Sequence, residues 1–88
     1  MQIEVRQPTP EEINEARSWG TWEKEPSEFP WSYDEKETCL ILAGHAIVEG
    51  KNGEHAEFGP GDWVVFPVGL KCVWEITEPI KKKYKFGE

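Results

Sequence analysis

The sequence predicts an all-β barrel or sandwich with one short helix at its N-terminus. Three observations lead to this fold class. Short apolar or alternating segments recur at close intervals between residues 38 and 86. Turn-forming sequences separate these segments, among them Asn52-Gly53 and Gly59-Pro60-Gly61-Asp62. A helix signature is confined to the region around residue 10, so that short strands dominate the chain.

The N-terminal helix is predicted over residues 9–19. Thr9 is a suitable N-cap, Pro10 occupies the first helical position, and Glu12 completes a Thr-x-x-Glu capping box. Gly20 is expected to end the helix. A helix of this length is not stable alone, so it must pack against the rest of the domain.

The strands are predicted from hydrophobic patterning. Residues 21–34, which are aromatic, acidic and interrupted by prolines, are expected to form an edge segment that covers one side of the core. A buried strand should end at Gly44, and Asn52-Gly53 should form a type I′ hairpin turn. The final strand places Ile80, Lys82, Tyr84 and Phe86 on one side. The predicted strands cover residues 38–43, 46–49, 55–58, 63–66, 72–76 and 80–86.

Composition narrows the possible functions. The chain has 10 Lys and Arg residues against 17 Asp and Glu residues, and its net charge of −7 disfavours binding to nucleic acid. It has neither an apolar stretch long enough to cross a membrane nor a signal-peptide pattern at its start, so we predict no membrane partner and a cytoplasmic location. Cys39 and Cys72 are not arranged as Cys-x-x-Cys, and a reducing compartment disfavours a disulfide between them.

Two spacings carry a resemblance to a known superfamily. Gly61, Pro67 and Gly69 are followed by Cys72 in the order Gly-x5-Pro-x-Gly-x2-Cys, and Glu37 precedes Gly44 by the matching interval. With His in place of the Cys, these are the two motifs of cupins. The chain therefore resembles a small cupin, and the resemblance implies a double-stranded β-helix, or small jelly-roll barrel. We interpret residues 1–88 as a single cupin domain, with the cupin motifs at 31–76.

A narrower resemblance concerns four short segments of the sequence. Residues 22–24, 29–34, 37–39 and 61–67 are similar to the cupins grouped with (S)-ureidoglycine aminohydrolase. This resemblance implies a metal-dependent enzyme that acts on a ureido or amino-acid-like metabolite.

The usual histidine ligands of a metal-binding cupin are absent. The matching positions carry Trp31, Tyr33, Glu37 and Cys72, and a count shifted by one residue places Pro30 and Ser32 at the first two. Trp has no lone pair to offer, and neutral Tyr is a poor ligand. We therefore predict no cofactor and no conventional metal site. If a divalent transition metal binds, Glu37 and Cys72 are its candidate ligands.

A ligand-binding cup is predicted from strand alternation. If Glu37 faces inward, so do Cys39, Ile41 and Ala43, although a one-residue slip in register would reverse the facing of Trp31 and its neighbours. Largely apolar pockets with a few convergent polar groups are typical small-molecule sites. The predicted cup comprises Trp31, Tyr33, Glu37, Cys39, Phe66, Cys72 and Trp74.

Glu37 is the candidate catalytic acid or base of this cup. A buried carboxylate is costly unless it is paired or hydrogen-bonded, and Tyr33, Lys24 and Lys82 are the candidate partners. A purely structural hydrogen-bond network around Glu37 would explain the same position. Cys72 is a weaker candidate, as a nucleophile that no His is placed to activate.

Three functions remain open from the sequence. The first is a metal-independent cupin that binds a small metabolite, with lyase, isomerase or hydrolase chemistry around Glu37. The second is the metal-dependent aminohydrolase-like enzyme. The third is a dimeric interaction module, in which an outward apolar patch of Thr38, Leu40 and Leu42 joins two copies. A homodimer is expected because association would stabilise a domain with so small a core.

Overall fold

The computed structural model describes residues 2–87 and confirms the predicted fold class, a mostly antiparallel β-structure with one short helix. No helix in this part of the chain is both long and apolar enough to span a membrane. The elements, in chain order, are β1 (Glu4–Arg6), α1 (Pro10–Ala16), β2 (Gly20–Lys24), β3 (Ser27–Ser32), β4 (Glu37–Gly50), β5 (His55–Phe58), β6 (Trp63–Phe66) and β7 (Lys71–Phe86).

Two long strands organise the sheet. β4 and β7 pair with each other along most of their lengths, and the other strands attach to them or to β6. The strand order is β1-β6-β4-β7-β2, with β3 added to the first half of β7 and β5 to the second half of β4. Residues 21–34, predicted as an edge segment, form most of the strand pair β2 and β3 that lies along β7.

The capping box of α1 is confirmed, but the predicted C-terminal end of the helix is wrong. The Glu12 amide donates to Thr9 Oγ1 at 3.2 Å, and the Thr9 amide donates to Glu12 Oε1 at 2.9 Å. The helix ends at Ala16, and the Trp19 amide donates to the Ala16 carbonyl in the turn that follows. Gly20 is the first residue of β2 because the edge of β7 pairs with the chain from that point.

The hairpin between β4 and β5 is confirmed, whereas its turn type is wrong. A type I′ turn needs positive φ at both central residues, and among residues 2–87 only glycines have positive φ. Here the loop has three residues, closed by a hydrogen bond from the Gly50 amide to the Glu54 carbonyl. Gly53 has a φ of 91°, as expected for a turn that ends in a bulge.

Gly44 bends β4 instead of ending it. Its φ is 89°, and a side chain there would collide with the Pro79 carbonyl on the neighbouring strand. The pairing of β4 with β7 shifts register on both sides of Ala43. The bulge interrupts the alternation, so that Ala43, which we expected to face inward with Glu37, is exposed.

Two apolar clusters lie on opposite faces of β4. The larger, inner cluster includes Cys39, Ile41, Phe66 and Trp74. The smaller, outer cluster consists of Ala16, Leu40 and Trp63, with Trp19 and Val65 packed against it.

The outer cluster shows that the apolar patch predicted for dimerisation is wrong. Thr38 and Leu40 are buried within one copy, since Leu40 packs against Ala16 of α1 and Trp63 of β6, and Leu42 alone is exposed. The short helix α1 covers this face. A helix of this length is not stable alone, so it must pack against another part of the domain. Homodimerisation itself stays a prediction, for which sedimentation is the measurement.

Candidate ligand-binding cleft

An aromatic cleft of about 190 Å³ opens on the inner side of the sheet. Its polar side chains are few, as is typical of small-molecule sites. The lining residues are Trp22, Phe29, Trp31, Tyr33, Glu37, Trp74, Lys82, Tyr84 and Phe86.

Strand pairing brings these residues together from distant parts of the sequence. β7 contributes side chains at alternate positions, with Trp74 in its first half and Lys82 in its second. Across the sheet, Phe29 of β3 is the register partner of Trp74, and Trp22 of β2 is that of Lys82. Glu37 begins β4 opposite Phe86, at the far end of β7.

A buried ion pair forms the floor of the cleft. Lys82 Nζ lies 2.8 Å from Glu37 Oε2, and the two side chains are only 6% and 4% exposed. Lys82 is therefore the charged partner of Glu37 among the three candidates, whereas Lys24 instead lies 5.3 Å from the ring centre of Phe29. Both side chains are nearly buried, and both line the cleft.

Aromatic rings surround the ammonium group of this pair. Lys82 Nζ is 4.6 Å from the ring centre of Trp74, 4.8 Å from that of Trp22 and 6.0 Å from that of Phe66. Such cation–π contacts stabilise a desolvated ammonium by about 2 kcal/mol or more. The lysine thus occupies the cation site that the rings create, which leaves no room there for a cationic ligand.

Tyr33 lines the cleft beside the ion pair. Trp74 Nε1 donates to Tyr33 Oη at 3.3 Å. The Tyr33 ring stacks on Phe66 with centroids 4.9 Å apart. Burial, and then the charge of Glu37, raise the pKa of Tyr33 far above its ordinary value, so the hydroxyl stays protonated.

The two cysteines are inert thiols outside the cleft. Burial raises the pKa of Cys39 to about 12, and its Sγ donates to the Val64 carbonyl at 3.6 Å within the core. Burial also raises the pKa of Cys72 to about 11, with a contribution from Glu37, and its Sγ donates to the Trp31 carbonyl. Neither thiol lines the cleft, although both had been placed in the predicted cup; Cys72 borders a groove on the other side of β3.

The remaining predicted cup residues divide between rim and floor. Trp31 is 48% exposed and lies at the rim, between the cleft and that groove. Phe66 is fully buried behind Tyr33. Tyr33, Glu37 and Trp74 line the cleft as predicted.

The residues at the family's metal-ligand positions do not fit a metal ion. Trp31 and Tyr33 offer no suitable donor, and the thiol of Cys72 is protonated and directed at a backbone carbonyl. The ammonium group of Lys82 already occupies the free side of the Glu37 carboxylate. Within residues 2–87, no group of three His, Cys, Asp or Glu side chains is arranged to hold a metal.

Five lining residues were absent from the predicted cup, although one of them, Lys82, had been named as a candidate partner of Glu37. Trp22 and Phe29 lay in the segment interpreted only as a cover, while Tyr84 and Phe86 were placed on one strand face without being assigned to the cup. Strand alternation could have identified two of them, because Lys82, Tyr84 and Phe86 stand at every second position of the last strand and therefore share one face. What the sequence lacked was the pairing that sets this strand against β2 and the start of β4.

Comparisons with known proteins agree with this fold. The family model described as the EutQ-like cupin domain matches residues 11–84. A solved structure of a DUF861 family protein from Thermotoga maritima is 43% identical, covers 96% of this chain and 98% of its own, and superposes with a TM-score of 0.91. None of the curated proteins compared with the chain matches it.

More distant structures share the fold. A DUF861 family protein of unknown function from Pseudomonas syringae is 25% identical over 76% of this chain and 29% of its own, with a TM-score of 0.68. The EutQ protein of Clostridium difficile is 18% identical, covers 97% of this chain and 67% of its own, and has a TM-score of 0.71.

Proposed function

This chain belongs to the EutQ-like cupin domain family, and on that premise we propose that its aromatic cleft binds a small, uncharged metabolite. The ligand would have a ring or branched apolar body and one hydrogen-bonding group. The body would contact the rings of Trp22, Phe29 and Tyr84, and the polar group would reach the Glu37–Lys82 pair.

The observation that carries this proposal is the buried ion pair at the floor of an open cleft. Burying two charges costs roughly several kcal/mol for each charge. Proteins with well-packed apolar side chains at such positions are often as stable as those with the ion pair, or more stable. Packing alone therefore does not explain why Glu37 and Lys82 stand in the core. A role in recognising something that enters the cleft explains both their burial and the one side on which they are reachable.

The charge of the ligand follows from the surroundings of the pair. Glu37 and Lys82 neutralise each other at 2.8 Å, so neither an anion nor a cation gains a full counter-charge in the cleft. The net charge of −7 further disfavours anions at long range. An uncharged donor or acceptor loses less hydration on entry, and it can share the remaining hydrogen-bonding capacity of the ammonium and the carboxylate.

The resemblance to (S)-ureidoglycine aminohydrolase supports a metal-dependent hydrolase as the alternative. The donor set argues against that chemistry here, because Lys82 stands beside Glu37 where a metal would have to bind and Cys72 is directed away. We therefore retain the ligand-binding function and derive no metal-dependent step.

Heteronuclear NMR with three probes of one skeleton tests the proposal. Benzyl alcohol is uncharged, benzoate is anionic and benzylammonium is cationic. We expect benzyl alcohol to shift the indole signals of Trp22 and Trp74 in a saturable manner, and the two ions to bind at least about tenfold more weakly because their hydration is lost without a net counter-charge.

Two matched variants locate the binding. Trp22 and Trp19 are both half-buried, but Trp22 lines the cleft and Trp19 packs on the outer cluster. Trp22→Leu should weaken benzyl alcohol binding, whereas Trp19→Leu should leave it unchanged. Equal binding of all three probes, or equal loss in both variants, would contradict the proposal.

A further inference from the structure

Lys82 is placed for covalent as well as hydrogen-bonding chemistry. It is a buried lysine that lines the cleft, whereas Lys24, Lys51, Lys71 and Lys81 are exposed. Its Nζ is fixed between the rings of Trp22 and Trp74, with the Glu37 carboxylate at hydrogen-bonding distance. An amine in an apolar pocket, with a proton acceptor in contact, is the arrangement that activates lysine as a nucleophile.

We propose that Lys82 forms a reversible imine with small aldehydes or ketones that enter the cleft. This inference rests on the proposed function, because it requires a ligand to occupy the cleft. It narrows the substrate class from uncharged metabolites in general to carbonyl compounds with an apolar body.

The proton transfers of this reaction are supplied by the residues of the floor. Lys82 passes a proton to Glu37 Oε2 across the 2.8 Å hydrogen bond, and the freed amine attacks the carbonyl carbon to form a carbinolamine. A proton moves from the attacking nitrogen to the carbonyl oxygen and completes the carbinolamine. Glu37 then returns its proton to the carbinolamine hydroxyl, which leaves as water while the nitrogen lone pair forms the C=N bond. One ammonium group and one carbonyl thus give one protonated imine beside the Glu37 carboxylate and one water, and no oxidant or reductant is consumed.

The surroundings of the pair position the reacting groups. Lys82 Nζ lies at hydrogen-bonding distance from Glu37 Oε2, the atom that accepts its proton. The rings of Trp22 and Trp74 hold the amine at the floor, where a bound carbonyl group would meet it.

Reductive trapping tests the inference on the intact chain. The protein is incubated with benzaldehyde, reduced with sodium borohydride and digested, and the secondary amine on each lysine-containing peptide is quantified by mass spectrometry. We expect the adduct at Lys82 to exceed that at any exposed lysine by about tenfold or more, which is well within what the positioning of bound reactants provides. Excess benzyl alcohol should suppress trapping at Lys82 alone.

Two variants separate imine formation from the integrity of the fold. Lys82→Arg keeps a cation beside Glu37 but cannot form an imine under these conditions, and it should abolish the cleft adduct. Lys81→Met removes the exposed neighbour on the same strand and should not change trapping at Lys82. If Lys82→Arg does not fold, the peptide distribution in the wild-type chain still decides the question.

The outcomes distinguish this inference from the proposed function. Trapping spread evenly over exposed lysines, with benzyl alcohol still bound in the cleft, would overturn the imine and leave the binding function standing. Even trapping without any binding of benzyl alcohol would overturn both. Selective, competable trapping at Lys82 supports both.

Discussion

Two ion pairs in this chain have similar lengths and opposite surroundings. Arg6 and Glu12 approach to 2.6 Å near the start of α1, where both side chains contact solvent. Glu37 and Lys82 approach to 2.8 Å beneath an aromatic cleft, where neither is more than 6% exposed. Contacts between opposite charges therefore have different consequences for stability in the two places.

The exposed pair is explained by local structure. Arg6 is the last residue of β1. It donates to both carboxylate oxygens of Glu12, the residue that also caps the Thr9 amide. Arg6 lowers the pKa of Glu12 to about 2, chiefly through this hydrogen bond. Exposed pairs contribute little because water and salt screen them.

The buried pair has no such local explanation. Its partners are 45 residues apart in sequence, and their burial costs free energy that an apolar core would not require. A short distance between opposite charges therefore does not by itself identify a stabilising contact. Burial beside a cleft is what makes the second pair a candidate for function.

The largest expected effect comes from removing one partner of the buried pair. Lys82→Met should lower the free energy of unfolding by about 3–5 kcal/mol, because Glu37 is left as an uncompensated buried charge. The change is measured by urea denaturation at neutral pH.

The double variant Glu37→Gln/Lys82→Met is the matched control. It contains neither charge of the pair, so it should recover most of the lost stability. A double variant as unstable as Lys82→Met would show that the pair is a net stabilising contact and would remove the main argument for function.

The next effect concerns the hydroxyl of Tyr33. Tyr33→Phe should lower the free energy of unfolding by about 1–3 kcal/mol, because the buried Trp74 Nε1 loses its acceptor. Denaturation followed by tryptophan fluorescence measures the loss. Unchanged stability would mean that water replaces the hydroxyl as the acceptor for Trp74 Nε1 without cost.

Alkaline pH should destabilise the protein through its buried thiols. The folded-state pKa of Cys39 is raised from 9.0 to about 12, so the folded chain retains a proton that the unfolded chain loses. Stability is therefore fully present below about pH 9 and falls as pH rises toward 12, by at most about 1.4 kcal/mol per pH unit for this thiol.

A variant isolates this contribution from the titration of lysines. Cys39→Ala should show a shallower loss of stability with rising pH than the wild-type chain, in parallel denaturation series. Identical slopes would show that the Cys39 thiol ionises in the folded state as it does in the unfolded state.

The smallest effect is expected at the exposed pair. Arg6→Ala should leave the urea midpoint unchanged within error, since both side chains are solvated and the Thr9–Glu12 capping box remains. A loss comparable to that of Lys82→Met would break the comparison between the two pairs.

Local signals predicted much of this structure. Three predicted features depend only on neighbouring residues, and the structure contains each of them. They are the capping box at Thr9, the turn at Gly53 and the inward-facing position of Lys82 in its strand. Glu37 was correctly predicted to be buried, because motif spacing and alternation agree there, and Lys82 was among its predicted partners.

The errors arose where tertiary pairing overrides local preference. Gly20 does not end the helix because it pairs with β7 as the first residue of β2. Ala43 faces solvent because the bulge at Gly44 shifts the alternation of inward and outward side chains. Leu40 was assigned to a dimer patch because nothing in the sequence shows that α1 folds back over it. The aromatic lining from β2 and β3 was missed for the same reason, since its residues meet only through β7.

The most direct test of the central claim is a titration of benzyl alcohol into Glu37→Gln/Lys82→Met, followed through the Trp22 indole signal. We expect a chain of nearly wild-type stability that binds the probe at least about tenfold more weakly, because a hydrogen bond to a charged group has been lost. A variant that binds benzyl alcohol as well as the wild-type chain, while losing stability, would show that the buried pair serves the fold and not the cleft.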